Sequence, residues 1–424
     1  MFLPDFKLKR TRLLSAGVLM LASTAAWSQG NNLFTETQSP PDVKNYSFSE
    51  APTTESFNFI TVRAALVAAG TNDIALEVEP GMVVTARQLD FKDNADGTSL
   101  WTGTLSKSTQ PSDEESDKNE VLLVRHGNNI TGSITVDGQL YMVTPLGDGH
   151  HAIVKTDVSK FPDYGEDGIE DQAAQGHSHD HGATTESSDH DDHSAHSENN
   201  DVSIQNIPIK IRVMSATTNN SRAKHADIPG LVALSIARAN HAYHRSKINL
   251  ELVNAGILDL NVNENGALNA ALLGQMNNKS SAIGAPIQKF RDEHLADLAV
   301  LLTVATGPCG NAFQPAVKST GLSAVTGECA AASFTFAHET GHNIGASHEA
   351  GYRQTSGSDR WRTIMSSDCS PYCPRIQNFS NPDVNQNGVP TGTINQHNNA
   401  RTINNRAQNV ANFYPAPATW VQSG

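Results

Sequence analysis

Three histidines and one glutamate lie within a single run of eleven residues, His338-Glu339-Thr340-Gly341-His342-Asn343-Ile344-Gly345-Ala346-Ser347-His348. The run has the form H-E-x-x-H-x-x-G-x-x-H. On a helix, His338 and His342 project from one face, where their imidazoles can grip one metal ion. Glu339 is placed to reach water at that metal rather than the metal itself. Gly345 suits a helix ending in the left-handed conformation, which glycine adopts cheaply. The chain then turns away from the helix axis, and His348 can return as a third ligand. Three neutral imidazoles leave one tetrahedral position open, the arrangement of a catalytic rather than a structural zinc site. Hydrolysis by activated water is the chemistry such a set could perform.

The five fixed positions resemble the elongated zinc motif of the metzincin metalloendopeptidases. A second part of that signature follows in Arg362-Thr363-Ile364-Met365-Ser366-Ser367, where Met365 stands 17 residues beyond His348. Metzincins carry a methionine in a tight turn beneath the metal, and Met365 is the candidate. Astacins and serralysins place a tyrosine two residues after it. Here Ser367 stands there, so the resemblance narrows to the reprolysin (adamalysin-like) branch of secreted bacterial enzymes. It implies one catalytic Zn2+ held by His338, His342 and His348, with Glu339 as general base and Gly345 and Met365 as structural residues. Protein or peptide substrates follow from the same resemblance, as does a monomer. Nothing in the sequence supports calcium. The segment from Cys369 to Phe379 would wall the pocket for the residue after the cut. Arg375 is its only cation, and it would serve a peptidyl-Asp type of enzyme, which cuts before aspartate.

The elements that must position these residues are legible in part. Ile207–Val213 alternates as a strand, and Asp227-Ile228-Pro229 opens a helix running to about Tyr243. Ile248–Val253 is the next strand, with helical patterns near 267–276 and 286–295. Leu298–Leu302 is a continuous apolar run, as expected of a buried central strand. Gly321–Thr326 resembles the edge strand that metzincins present along their cleft, where an extended peptide can pair. A last helix is expected from about Asn399 to Phe413. His241, His244 and His294 fall in this half and read as ordinary helix-surface residues. Residues 202–424 are thus expected to form an α/β (α+β) metzincin catalytic domain, with a mixed twisted sheet and a zinc helix.

Upstream, Lys7, Lys9, Arg10 and Arg12 precede an apolar run from Leu13 to Ala26, and Ala26-Trp27-Ser28 fits small-x-small cleavage. Residues 1–28 therefore read as a signal peptide, giving a secreted or periplasmic product. Residues 29–163 read as a β-rich propeptide, with strands such as 120–124, 130–136 and 139–143 and a hairpin cue at Asp137-Gly138. All four cysteines lie beyond residue 300, so a cysteine switch is absent. Sequence proximity favours Cys309–Cys329 and Cys369–Cys373 among three possible pairings.

Residues 164–201 form a linker, whose stretch from Tyr164 to Asn200 holds ten acidic residues and six histidines without Lys or Arg. It is either a solvated, protease-sensitive connector or a segment with a zinc-loading or latency role, in which one histidine or Asp180 caps the metal. The charge split fits an intramolecular partner: the first 201 residues hold 13 basic and 31 acidic side chains, the remainder 17 and 13. No basic-aromatic patch supports nucleic-acid binding, and no further apolar run reaches membrane length. The rival reading is a non-catalytic zinc-scavenging protein that uses the histidine tract and the triad. Glu339 would have no task in it.

Overall fold

The computed structural model of the chain describes residues 31–37, 46–108, 112–162, 169–170, 207–264, 266 and 268–417. The expected signal peptide and nearly all of the acidic histidine linker lie outside the described residues.

Alternating strand patterns close the N-terminal half into one antiparallel sheet. Its strands are β1 (Phe34–Glu36), β2 (Thr54–Val62), β3 (Asp73–Glu79), β4 (Met82–Asp93), β5 (Thr98–Thr104), β6 (Glu120–His126), β7 (Asn129–Val136), β8 (Gln139–Gly147) and β9 (His150–Thr156). They are ordered β1-β2-β9-β8-β7-β6-β5-β4-β3. Helix α1 (Asp113–Lys118) interrupts the meander, capped by Ser112, whose side chain accepts from Glu115 N–H. Asp137 and Gly138 both have positive φ (49° and 89°), as the two-residue turn between β7 and β8 requires. One face buries Trp101, Leu123, Ile130 and Val143.

Histidine 151 marks a pH sensitivity of this half. Its Nε2 accepts from Ile130 N–H at 3.1 Å and its Nδ1 lies 3.3 Å from Gly149 O, so it folds neutral. Burial pushes its pKa down to about 4, against a weaker opposing effect of the Gly149 bond. Between pH 6.5 and 4 the unfolded chain takes up a proton that the folded chain refuses. Stability is complete above the unfolded value and falls with pH through that window, by up to about 3 kcal/mol. Thermal melting at pH 7 and pH 4.5 should show the loss. A His151→Gln chain, with no proton to take up, should lose that much less.

The second half is a mixed sheet with helices around it. Its strands are β10 (Ile169–Glu170), β11 (Ile209–Thr217), β12 (Leu250–Asp259), β13 (Leu298–Thr303), β14 (Gly310–Gln314) and β15 (Leu322–Thr326). The order is β10-β14-β15-β13-β11-β12. The helices are α2 (Asn219–Lys224), α3 (Ile228–Arg245), α4 (Ala270–Asn277), α5 (Gly284–His294), α6 (Gly327–Ala332), α7 (Thr335–Ile344) and α8 (Asn399–Ala411). The apolar run expected as a central strand is β13, buried throughout and parallel to both neighbours. Core residues of α3, β11, β13, α7 and α8 form one cluster on one side of the sheet. Those of α4, α5 and the opposite faces of the strands form another.

The expected edge strand needs correction. Gly321–Thr326 corresponds to β15, which is fully buried and parallel to β13, so it is an interior strand. The cleft-side strand is β14, antiparallel to β15, and the two residues of β10 pair with its outer side in parallel. Gly310-Asn311-Ala312-Phe313-Gln314 lacks the alternation that would reveal it, because its inward positions are glycine and alanine.

Both disulfides pair as sequence proximity favoured. Cys309–Cys329 ties the start of β14 to α6, and Cys369–Cys373 closes a short loop beyond Met365. The N-terminal sheet packs on α3, where Leu122 and Val124 of β6 meet Ala233, Leu234 and Ala237. Asp227, the N-cap of α3, accepts from Gly230 N–H at 3.2 Å. The same carboxylate is held by His126 at 2.8 Å and Thr131 at 3.2 Å, both from the N-terminal sheet. Among the described residues no helix is long and apolar enough to cross a membrane.

Candidate metal centre and catalytic cleft

Helix α7 runs through the two motif histidines and stops where glycine permits. Gly345 has φ of +118°, and its N–H bonds Gly341 O at 3.0 Å while Ala346 N–H bonds the same carbonyl at 2.9 Å. The chain leaves the helix in a left-handed turn. A Cβ at Gly345 would also press within 2.7 Å of Arg406 Cδ, so both backbone and space demand glycine. The turn brings His348 back over the helix, on the side of an open depression of about 820 Å³.

The three histidines converge, with one candidate ligand atom from each and all within 4.8 Å of one another. His348 Nε2 lies 3.0 Å from His338 Nε2 and 3.2 Å from His342 Nε2. The far side of each helix imidazole is fixed by a carbonyl: His338 Nδ1 donates to Ile364 O at 3.0 Å, and His342 Nδ1 to Ala346 O at 2.9 Å. A carbonyl only accepts, so Nδ1 carries the proton and Nε2 presents a bare lone pair. Burial, with the neighbouring histidines, holds His338 well below the usual histidine value, and burial pushes His342 down to about 3. Two bare lone pairs and a third imidazole facing one point fit a bound cation.

Glu339 supplies a second test of that fit. It is buried at 1% exposure, and its Oε2 has no hydrogen-bond partner. Burial alone raises its pKa well above the usual carboxylate range. A carboxyl paid for in this way wants a proton, a water or a nearby positive charge. The donor set and the orphaned oxygen both suit a metal with water beside it.

Met365 lies beneath α7, fully buried, and its turn presents the Ile364 carbonyl to His338. Gly341 is what lets this floor approach: a Cβ there would stand 2.9 Å from Phe379 Cε1 and 3.4 Å from Met365 Sδ. Phe379 in turn stacks on Tyr243 of α3, with ring centroids 5.1 Å apart. The Tyr243 hydroxyl meets Thr340 Oγ1 at 2.9 Å, so α3 supports the motif from below. On the other side Asn343 Nδ2 donates to Phe313 O at 2.9 Å and to Leu322 O at 3.0 Å, fastening β14 and β15 to the helix.

The approach of β14 is close enough to carry a prediction. A Cβ added at Gly310 would fall 2.3 Å from Glu339 Oε1. The clashing atom ends a side chain, so the fold can yield by turning the carboxylate away. A Gly310→Ala chain should fold and retain its metal while kcat/KM drops by about 10²-fold, the usual scale for a lost acid–base group. Metal content measured beside kcat/KM checks it.

Arg375 lines a second cavity, beside Phe334, which immediately precedes α7. The segment bearing it pairs with the strand before Met365: Ile376 N–H bonds Arg362 O at 2.8 Å, and Ile364 N–H bonds Asn378 O at 2.8 Å. His294 stacks on Phe290 as a helix-surface residue, but His241 reaches Glu120 of β6 at 2.7 Å. Sequence reading missed Arg238, the first charge in the otherwise apolar start of α3 and buried at 4% exposure. A charge directly after that apolar stretch was the available signal.

Comparison with known proteins agrees with the geometry. Residues 208–380 match the model of metallo-peptidase family M12. A peptidyl-Asp metalloendopeptidase of Stenotrophomonas maltophilia (strain R551-3) is 32% identical over 374 residues, spanning 82% of this chain and 84% of the relative. One of the same name from Xanthomonas campestris pv. campestris is 27% identical, spanning 86% and 87%. A solved structure, metalloproteinase-II from Bacteroides fragilis, aligns with a TM-score of 0.42 at 13% identity, over 72% of this chain and 86% of that one. With a histidine triad, a buried glutamate and relatives matched over most of its length, the chain belongs to the M12 metallopeptidases and is a metalloendopeptidase.

Proposed function

We propose that this metalloendopeptidase uses zinc, is made as a precursor whose N-terminal sheet is its propeptide, and is exported by residues 1–28. The observation that carries the zinc reading is the meeting of three imidazole Nε2 atoms, with the partnerless carboxyl oxygen of Glu339 on the residue next to the first of them. His338, His342 and His348 would hold the ion, an all-nitrogen set that suits zinc. Zinc, when bound, lowers the pKa of water and polarises a carbonyl. Glu339 takes the proton of the attacking water at its carboxylate and passes it to the leaving amine. Ile364 O and Ala346 O keep the imidazole protons on Nδ1. The outer side of β14 receives an extended chain, a role supported by the pairing of Ile169–Glu170 along it.

The relatives' names suggest action at aspartate, and Arg375 beside the cleft fits a carboxylate after the cut. The zinc-scavenger reading leaves a buried, partnerless Glu339 without purpose. No second protein is needed to complete the site, so the working unit is a monomer.

Incubation of the full chain with a mixed peptide library tests the reading. Cleavage should vanish on chelation and return with zinc. Equal cleavage after exhaustive chelation would sink the zinc assignment.

A further inference from the structure

Arg238 is the least explained charge in the molecule. It projects from α3 at 4% exposure, and its Nε and Nη1 are buried without hydrogen-bond partners. Its Cζ lies 4.4 Å from the centre of the Phe334 ring. Gln377 Nε2 donates to the Arg238 carbonyl at 3.3 Å. Phe334 leads directly into the helix of His338, and Gln377 belongs to the segment that follows Met365. Arg238, Phe334, Arg375 and Gln377 line one side of a cavity of about 230 Å³. His338 N–H bonds the Phe334 carbonyl at 3.0 Å, which sets this cavity beside the first turn of the metal-binding helix.

The N-terminal domain also lines the cavity, through residues that include Asp117 and Glu120. Both carboxylates lie within electrostatic reach of Arg238, and they are the two charges that favour its ionised form against burial. Glu120 is also held by His241 at 2.7 Å, so it is fixed rather than free to swing away. The unprocessed chain thus sets two acidic side chains on the same cavity as a buried guanidinium whose Nε and Nη1 remain without partners.

We propose that Arg238 is the cationic floor of the pocket for the residue after the scissile bond, and that Asp117 and Glu120, on the same cavity, keep a substrate carboxylate out of it in the unprocessed chain. This rests on the peptidase reading above and adds to it the residue that selects the substrate. A planar guanidinium can meet a carboxylate with two parallel hydrogen bonds, whereas a neutral side chain leaves its donors unpaired. Discrimination by a buried polar group exceeds that by a solvated one, because the unmatched group has no water to fall back on. Arg238 is buried and Arg375 half-buried. The floor therefore sets the preference, and Arg375 stands nearer its rim. Departure of the N-terminal sheet removes the two acids and opens the cavity in one step.

The test uses the full-length chain after maturation, loaded with zinc, and a pair of peptides that differ only in Asp or Asn after the cleaved bond. Wild type should favour Asp by about 10²-fold in kcat/KM. Arg238→Gln should bring the ratio near unity, and Arg238→Lys should restore part of it. A matured wild type that cuts neither peptide sinks the peptidase reading itself. A wild-type preference that survives in Arg238→Gln overturns this inference alone, and leaves Arg238 as a clamp between the domains.

Should Arg238→Gln fold poorly by circular dichroism, the Asp117→Asn, Glu120→Gln double variant decides with Arg238 intact. Its unprocessed form should cut the Asp peptide about tenfold faster than unprocessed wild type, on the scale of one or two lost charge pairs. Equal rates would overturn the proposal.

Discussion

A Glu339→Gln chain is expected to bind zinc as wild type does and to hydrolyse peptides about 10³-fold more slowly. The substitution preserves shape and volume in a site where Glu339 is 1% exposed, so packing gives no reason for failure. What changes is chemical: an amide cannot take a proton from water at neutral pH. The loss should fall on kcat with KM nearly unchanged, since a general base acts on the moving proton rather than on the ground-state peptide. The acid limb of the pH–rate profile should vanish with it, because the carboxyl that must ionise is gone. Zinc content by atomic absorption, measured beside kcat, separates this from metal loss. Activity within tenfold of wild type at full zinc occupancy would remove Glu339 from the role of general base.

The second large effect concerns stability. Arg212 on β11 and Asp297 before β13 form a pair exposed by only 3% and 0%. Arg212 Nη2 donates to Asp297 Oδ1 at 2.8 Å and Nε to Oδ2 at 3.1 Å. The backbone joins in: Arg212 N–H reaches Oδ2 at 2.9 Å and Tyr414 N–H reaches Oδ1 at 3.2 Å. Arg212 also donates to Tyr414 O at 2.8 Å and Pro415 O at 2.6 Å, so the pair fastens the tail of the chain under the sheet. Burial nonetheless raises the Asp297 pKa, outweighing Arg212, so desolvation cancels much of the attraction. An Asp297→Ala chain should lose about 3–5 kcal/mol, because it strands a buried guanidinium. Arg212→Met with Asp297→Leu should recover most of that. Chemical denaturation of the three chains, followed through the transition that destroys the metal site, measures it. A single variant as stable as wild type would show that water reaches Arg212.

What the sequence disclosed depended on how local the physics was. The triad, Glu339 and Gly345 share one helix and its exit turn, so helical periodicity and glycine's backbone freedom sufficed to bring them together. Cys309 and Cys329 met their expected partners because the intervening strand pair is short. β13 was legible because burial on both faces leaves an unbroken apolar run. Strand order is a property of pairing across the chain, and it misled: Leu322–Thr326 reads like any short strand, and only its neighbours make it interior. Asp227 is legible as a helix cap, but its bonds to His126 and Thr131 span about a hundred residues of sequence and leave no local trace. Arg238 was hidden for the same reason, since its significance lies in what faces it.

The contact between the sheet of the first half and α3 has a consequence for the lifetime of the assembly. Its apolar part on α3 consists of Leu234 and the small Ala233 and Ala237, and its peripheral ion pair, Lys92–Glu251, is well exposed. The small apolar patch and the exposed ion pair contribute little, so the contact rests largely on its buried polar bonds, His126 and Thr131 to Asp227 and Glu120 to His241. While the chain is continuous this hardly matters: covalent connection keeps the two halves at a high effective concentration. One hydrolytic event in the tether would exchange that local concentration for the bulk one. Dissociation would then follow from dilution, with no unfolding and no change at the contact itself.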